Sequence, residues 1–428
     1  MSIDDISPSA IQRIASYSPY LDALVGIASE MGLRERSNLV LLEKSLHTEW
    51  GLGQRCILGW TPYEDGILIL VVPHYAVAEY AAGRGGEASS GWQLSEDFIK
   101  SLLSHRRLLS EKQLRKVARL LAIEPSYLPL RQPVGRTSTE LQIIEQMVKR
   151  YGISFVPSRA VALFDIVGFS LQSPFEQMTQ LNSLSYSLNS AQSKLMDNQI
   201  GVSFGRSTTG DGFYIWNRDE SDTANANLYR FMHLVLADNA IAMQRATANS
   251  VPRLRAAFHV GSCYEFHQAE GLNPTIHDYI VGDVTIELAR MIDKALPGQI
   301  FVGDFHVGAA RNDRPTSDGL DAIGFVDSAQ DNLAQLEGLE LSGERISSIK
   351  CYLTGEKNEQ GFNVRRLIIA DKHGLSRSVY NAKVNIYRER AEPILLGIED
   401  RKLRKIFQNQ ASFELVNHSL QPGPTSRP

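Results

Sequence analysis

Apolar and polar positions follow two periods along this chain. Arg55-Cys56-Ile57-Leu58-Gly59-Trp60 and Gly66-Ile67-Leu68-Ile69-Leu70-Val71-Val72-Pro73 are short apolar runs around a turn-rich loop, which predicts two strands with helices on either side. Ala82 to Gly91 is glycine-rich and reads as a flexible loop. Leu114 to Ala122, followed by Glu124-Pro125-Ser126-Tyr127-Leu128, has a faint helix-turn-helix look without a basic face, so ordinary helix packing is favoured. Thr137-Ser138-Thr139-Glu140 has the form of a capping box. Leu141, Ile144, Val148 and Tyr151 then recur on one helical face, and Gly152 follows as a stop. This short helix is a candidate transmitter into the next region, or a packed linker.

The middle of the chain predicts strand 160–166, helix 174–195, strands 202–206 and 212–216, and helix 224–246. Strand 254–260, a short strand near Tyr264, helix 284–295 and strand 299–302 complete it. That order is a β-α-β-β-α-β unit with additions, so the fold class is α+β, a helix-covered antiparallel sheet. Beyond residue 340, Ile349–Leu353 and Arg365–Ala370 read as strands, Asp371-Lys372-His373-Gly374 as a turn, and Tyr380–Tyr387 as an alternating strand.

Composition narrows the class. The 428 residues suffice for two or three domains, and 43% hydrophobic with 21% charged residues describes an ordinary soluble protein. A net charge of −4 gives no reason to expect nucleic-acid binding. Three scattered cysteines (Cys56, Cys263, Cys351) make neither a disulfide framework nor a metal site, and the expected compartment is the cytoplasm. The N-terminus is acidic where a signal peptide would be basic, and the longest apolar run, Ile67 to Pro73, is strand-sized, so no membrane association is expected.

Candidate chemistry sits in two acidic turns, Phe164-Asp165-Ile166-Val167-Gly168-Phe169 and Thr208-Thr209-Gly210-Asp211-Gly212-Phe213. Each sets a carboxylate beside a glycine at a strand end, where backbone can approach a phosphate and carboxylates can share divalent metals. Taken singly, Asp165 could be a helix cap, Asp211 a hairpin residue, and Arg255 and Arg290 surface ion pairs; His259, on an apolar strand, reads as a sheet or core residue.

Three further signatures follow in order: Leu254-Arg255-Ala256-Ala257-Phe258-His259-Val260-Gly261, Tyr279-Ile280-Val281-Gly282-Asp283 running into a helix with Arg290, and Leu296-Pro297-Gly298-Gln299-Ile300-Phe301-Val302. Together the five signatures resemble the catalytic domain of class III nucleotide cyclases, with its ferredoxin-like core. The resemblance implies Asp165, Asp211 and Arg290 as catalytic residues, and two Mn²⁺ or Mg²⁺ ions held by Asp165, Asp211 and the Ile166 backbone. It also implies Val167, Gly168, Phe169 and Arg255 as substrate-phosphate contacts, and active sites shared across a homodimer.

Three positions depart from that family. Ser207 and Tyr279 stand where the purine edge is read, and Ile286 stands where an asparagine faces the ribose. The bulk of Tyr279 leaves room for a pyrimidine, and Ser207 can meet either uracil or cytosine. With the C-terminal unit, this resembles the Pycsar-type pyrimidine cyclases of bacterial antiphage signalling. That implies UTP or CTP as substrate, UTP ahead, and a separate effector protein activated by the cyclic product. The alternatives are a cytidylate cyclase and, in another class, a cyclase-fold nucleotide-binding regulatory module. The expected organisation is an N-terminal α/β region at 1–136, a linker helix at 137–153, a catalytic domain at 154–305, a connecting segment at 306–340, a C-terminal sensor-like α+β domain at 341–410, and a disordered tail at 411–428.

Overall fold

The computed structural model describes residues 32–84, 94–104, 106–135, 137–200, 202–219, 223–270, 275–307, 319–358, 361–371, 374–407 and 412–418. Most of the expected loop at 82–91 lies outside them. The chain forms two compact units, one comprising the chain up to Val156 with Tyr264–Ile280, the other Pro157–Cys263 with the chain from Val281.

The first unit opens with α1 (Leu33–Trp50), β1 (Arg55–Tyr63), β2 (Gly66–Pro73), α2 (Ala76–Ala81), α3 (Glu96–Ser104), α4 (Glu111–Leu121), β3 (Ser126–Pro129) and α5 (Ser138–Arg150). The two expected strands are β1 and β2, the edge and centre of an antiparallel sheet β1-β2-β3. They are continuously apolar because both faces are covered. Ile57, Trp60 and Ile67 meet Leu42, Leu46 and Met147 on one side, while Leu58, Leu68 and Leu70 meet Ile99, Leu103 and Leu114 on the other. A strand, not a second helix, follows α4, which removes the helix-turn-helix look.

In α5 only half of the expected capping box forms. The Thr137 hydroxyl accepts from the Glu140 amide (3.4 Å), but the buried Glu140 carboxylate turns to the Gly135 backbone. Gly152 matters for close approach, since a Cβ there would lie 2.6 Å from Ile57 O. Glu145 of α5 accepts from Trp60 Nε1 (2.9 Å) and from the Arg107 (2.6 Å) and Leu108 (2.9 Å) amides. The linker helix is thus part of this unit's core.

Next come β4 (Ile153–Ile166), α6 (Pro174–Asp197), β5 (Phe204–Thr208), β6 (Gly212–Asn217), α7 (Ala224–Arg245), β7 (Leu254–Glu270), β8 (Thr275–Val281), α8 (Asp283–Ile292) and β9 (Ile300–Gly303). The two strands expected at 254–260 and near Tyr264 are one long strand, β7. The sheet runs β9-β7-β4-β6-β5 in this part, so in the unit β4-α6-β5-β6-α7-β7 the first strand lies between the fourth and the third. This is the α+β, ferredoxin-like arrangement expected from element order.

The chain continues through β10 (His306–Val307), β11 (Leu320–Asp321), α9 (Ala322–Leu333), β12 (Glu340–Leu341), β13 (Glu344–Leu353), β14 (Gly355–Asn358), β15 (Gly361–Ala370), β16 (Ser376–Arg388), β17 (Ile394–Leu396), α10 (Asp400–Phe407) and β18 (Ser412–His418). The connecting segment contains α9, capped by Asp321 Oδ1 accepting from the Gly324 amide (2.8 Å), with Phe325 stacked on Phe258 at 5.5 Å in the core. Ser412–His418, expected within a disordered tail, is instead a strand paired antiparallel with β15.

The stretch expected as the separate 341–410 domain shares the large sheet. β16 pairs antiparallel with β9, from Val379 opposite Gly303 to Ala382 opposite Ile300. Asn381, almost fully buried on this seam, accepts from Gln299 Nε2 (3.0 Å) and donates to Thr354 Oγ1 (3.0 Å) and Ile398 O (2.8 Å). An Asn381→Leu protein leaves two buried polar groups and one half-buried carbonyl without this partner and is expected to lose about 3 kcal/mol of unfolding free energy. Urea denaturation of both proteins measures this.

Candidate active site

The buried run Val161–Phe164 fixes the end of β4 in the sheet and presents Asp165 at its edge. On the antiparallel neighbour β6, Gly212 stands opposite Asp165. Glycine is required there, because a Cβ would lie 1.9 Å from Phe164 O. The adjacent Ile166 amide donates to Asp211 O (3.0 Å), so the ladder carries the two acidic turns to the same end of the sheet. The second turn is pinned by its own side chains. The Thr209 hydroxyl donates to Asp211 Oδ1 (3.2 Å), the Gly210 amide donates to Thr208 Oγ1 (3.1 Å), and Gly210 sits at φ +98°.

Arg255, on β7, donates from Nε to Asp165 Oδ2 at 2.6 Å and from Nη1 to Ala295 O at 3.1 Å. Burial pushes the Asp165 carboxyl above its usual range. The Arg255 hydrogen bond and charge oppose that rise, and the negative charges of Asp211 and Asp293 add to it. Asp293, one residue past α8, was not singled out in the sequence, where nothing distinguishes it from a solvated helix end. Of the phosphate-contact stretch, the Val167 amide donates to Arg253 O (2.9 Å), Gly168 is left-handed at φ +70°, and a single 3-10 turn begins at Phe169.

Other expected site residues lie in different surroundings. Arg290, on α8, has its Nε 3.5 Å from Asp371 Oδ2, a carboxylate beyond β15. Ser207, half-buried on β5, stands opposite Tyr214, whose hydroxyl donates to Thr285 O (3.2 Å) and ties β6 to the first turn of α8. Ile286, in that first turn, is 47% exposed, an apolar side chain offered to solvent at the position where the resembled family has asparagine. Tyr279 belongs to the other unit, where its ring stacks on Phe266 of β7 at 5.6 Å and 16°. His259 is the core residue anticipated, packed on Phe305 and pushed down to about 4 by burial.

The donors fit a divalent cation of the hard, oxygen-seeking kind. Asp165 and Asp211 offer oxygen only, and Arg255 shows that Asp165 takes a positive charge at close range. Among the described residues no group of three or more His, Cys, Asp or Glu side chains is placed to hold a metal alone. Mg²⁺ commonly takes one or two carboxylates and completes its sphere with water and substrate phosphate.

No protein-family model matches the chain, and a search of curated proteins finds no match. Solved structures are similar at low identity. The guanylate cyclase domain of RhGC from Catenaria anguillulae, solved with GTP, is 13% identical over 55% of this chain and 100% of its own, at a TM-score of 0.32. The guanylyl cyclase Cya2 is 10% identical over 54% and 92%, at 0.31. The adenylyl cyclase CyaB from P. aeruginosa is 11% identical over 55% and 97%, at 0.29. Likeness at this level decides neither substrate nor activity.

Because folding raises the Asp165 pKa, the native state holds this proton more tightly than the unfolded chain. Ionised Asp165 therefore penalises folding above the raised pKa, and the penalty fades as pH falls toward the unfolded value near 3.8. Asp165→Asn is expected to melt higher than the parent at pH 7.5 in the presence of a chelator, with the gap closing by about pH 4. Thermal melts across this range check the sign.

Proposed function

We propose that the chain is a nucleotide cyclase that converts a pyrimidine nucleoside triphosphate, UTP ahead of CTP, to its 3′,5′-cyclic monophosphate and pyrophosphate. The observation that carries this reading is the rung at Asp165 and Gly212, which brings Asp165, Asp211 and Arg255 together at one sheet end. In the reaction the substrate's 3′-oxygen bonds to its own α-phosphorus, the bond from that phosphorus to the bridging oxygen breaks, and the hydroxyl proton passes to solvent. Negative charge spreads over the α-phosphoryl oxygens and the leaving pyrophosphate. Two Mg²⁺ or Mn²⁺ ions on Asp165, Asp211 and the Ile166 carbonyl would acidify the hydroxyl and neutralise the triphosphate.

In this reading Arg255 leaves Asp165 for phosphate once the carboxylate has another cation, and the Gly168-Phe169 turn lies under the triphosphate. Arg290 meets charge that develops in the transition state. On the sequence resemblance, Tyr279, which stacks on Phe266, is the residue that would limit the base to one ring, and Ser207 the one that would meet a polar edge. A second copy of the chain would complete each site. Exposed Leu171, Phe175, Met178 and Tyr186, the last three on one face of α6, supply apolar surface for such a partner. A cyclic pyrimidine nucleotide would serve as a signal to a separate effector in antiphage defence, a role supported by the sequence resemblance alone.

The second reading is a module that binds nucleotide without turnover. Ile286 favours it, since no hydrogen bond to a ribose can come from that side chain.

The test is incubation with Mn²⁺ and each of ATP, GTP, CTP and UTP separately, with products resolved by mass. Cyclic UMP or cyclic CMP is expected, and Asp211→Ala should lower its formation at least about 100-fold. Cyclic AMP or cyclic GMP would overturn the role of Tyr279, and nucleotide binding without pyrophosphate release would favour the second reading. Mixing Asp165→Ala with Arg290→Ala protein should recover about a quarter of parental activity if sites are shared and subunits exchange freely. No recovery in a mixture shown to exchange would rule out shared sites.

A further inference from the structure

Asp371 lies immediately after β15, in the turn that leads to β16. Its amide donates to Leu375 O (3.0 Å), its carbonyl accepts from the Gly374 amide (3.1 Å), and its Oδ1 accepts from the Leu375 amide (3.0 Å). Lys372 and His373, the middle of the expected turn, lie outside the described residues. Oδ1 thus anchors the carboxylate to its own turn and leaves Oδ2 for other partners.

The Asp371 side chain is only 3% exposed, and Oδ2 lies 3.5 Å from Arg290 Nε and 3.6 Å from Arg377 Nη2. Arg377, on β16, also pairs with Glu287. Glu287 and Arg290 are three residues apart on α8 and share a face. One turn of α8 is therefore tied twice to the β15–β16 turn, once directly through Arg290 and once through Arg377. A buried carboxylate between two guanidinium groups holds only where geometry is fixed by further hydrogen bonds, and the Leu375 and Gly374 contacts provide that.

We propose that Asp371 is a positioning residue for Arg290. It holds the guanidinium at its Nε edge and so reserves the two terminal nitrogens, the pair suited to bidentate phosphate recognition, for the triphosphate. This rests on the nucleotide-cyclase reading for the role of Arg290, while the contact itself does not. It gives the 341–410 stretch a part in the catalytic step that sheet continuity alone would not: the C-terminal turn sets the arginine's direction.

The experiment combines kinetics with a readout that needs no turnover. The Arg290 Nε–H resonance is assigned in arginine-labelled, nucleotide-free protein by its disappearance in Arg290→Gln. Asp371→Asn is expected to shift that resonance and to lower kcat roughly 10- to 100-fold with KM changed by less than about threefold. In the Arg290→Gln background the same substitution should lower kcat by less than about twofold. Asp371→Glu keeps the charge and displaces it by one methylene. It serves if Asp371→Asn does not fold, and it should shift the same resonance with a smaller kcat loss. An unshifted resonance, or equal kcat losses in both backgrounds, overturns the proposal. A parent protein without cyclase activity whose Arg290 resonance still responds to Asp371 overturns the nucleotide-cyclase reading and leaves the contact standing.

Discussion

The single rung between Asp165 on β4 and Gly212 on β6 is the constraint on which the site depends. Without a side chain at 212, the β6 backbone comes so close to Phe164 that the turn preceding β6 is drawn against the end of β4. The Ile166 amide then binds Asp211 O, and the two acidic turns are committed to one end of the sheet. Burial of the Asp165 carboxylate is unfavourable, the negative charges of Asp211 and Asp293 add to that cost, and the raised Asp165 pKa registers both. Arg255 offsets part of it from β7. A site built this way is held by the sheet but under-neutralised, which is the condition in which it gains most from binding cations and least from being left alone.

The elements that were legible in the sequence are those whose pattern arises locally. The Gly-Asp-Gly turn, the apolar β4 and the helix from Pro174 announce themselves because each needs particular residues at particular spacings. The order of strands and helices then fixed the ferredoxin-like core, since few sheet topologies accommodate β-α-β-β-α-β. What could not be read is pairing between distant segments. No local feature of Ser412–His418 shows that β15 has an open edge for it, and the alternation in β16 says that one strand is half-buried without saying that β9 lies beside it. Glu140 illustrates the same limit at small scale: its spacing from Thr137 is right for a capping box, yet Gly135 competes for the carboxylate and wins it.

Candidate residues divide along the same line. Asp165, Asp211 and Arg255 converge because their spacing reflects strands that pair directly or lie in one sheet. The surroundings of Asp293 and Asp371 are not legible in the sequence, because a carboxylate matters by what it faces and sequence shows only what precedes and follows it. Asp371 was visible as a turn residue; that its carboxylate is buried against Arg290 depends on β16 joining the sheet at β9 and carrying the turn to α8. Sheet continuity is thus more than an architectural detail. The seam around Asn381, where β16 pairs with β9, places Arg377 and the β15–β16 turn in one layer with the strand that follows α8.

That layer bears on how a cyclase site could tolerate Ile286. An asparagine in the first turn of α8 would act by donating hydrogen bonds from a fixed position; isoleucine gives up that contact but leaves the helix itself unaltered. The Tyr214 hydroxyl holds Thr285 O from the β6 side, and Arg377 holds Glu287 from the β16 side, so α8 is fixed at both flanks of residue 286. A pyrimidine is smaller than a purine, and its ribose is not obliged to occupy the same place relative to the helix. In the proposed cyclase, a fixed α8 with Arg290 oriented by Asp371 would then offset part of the lost hydrogen bond by holding a charged contact where the ring closes.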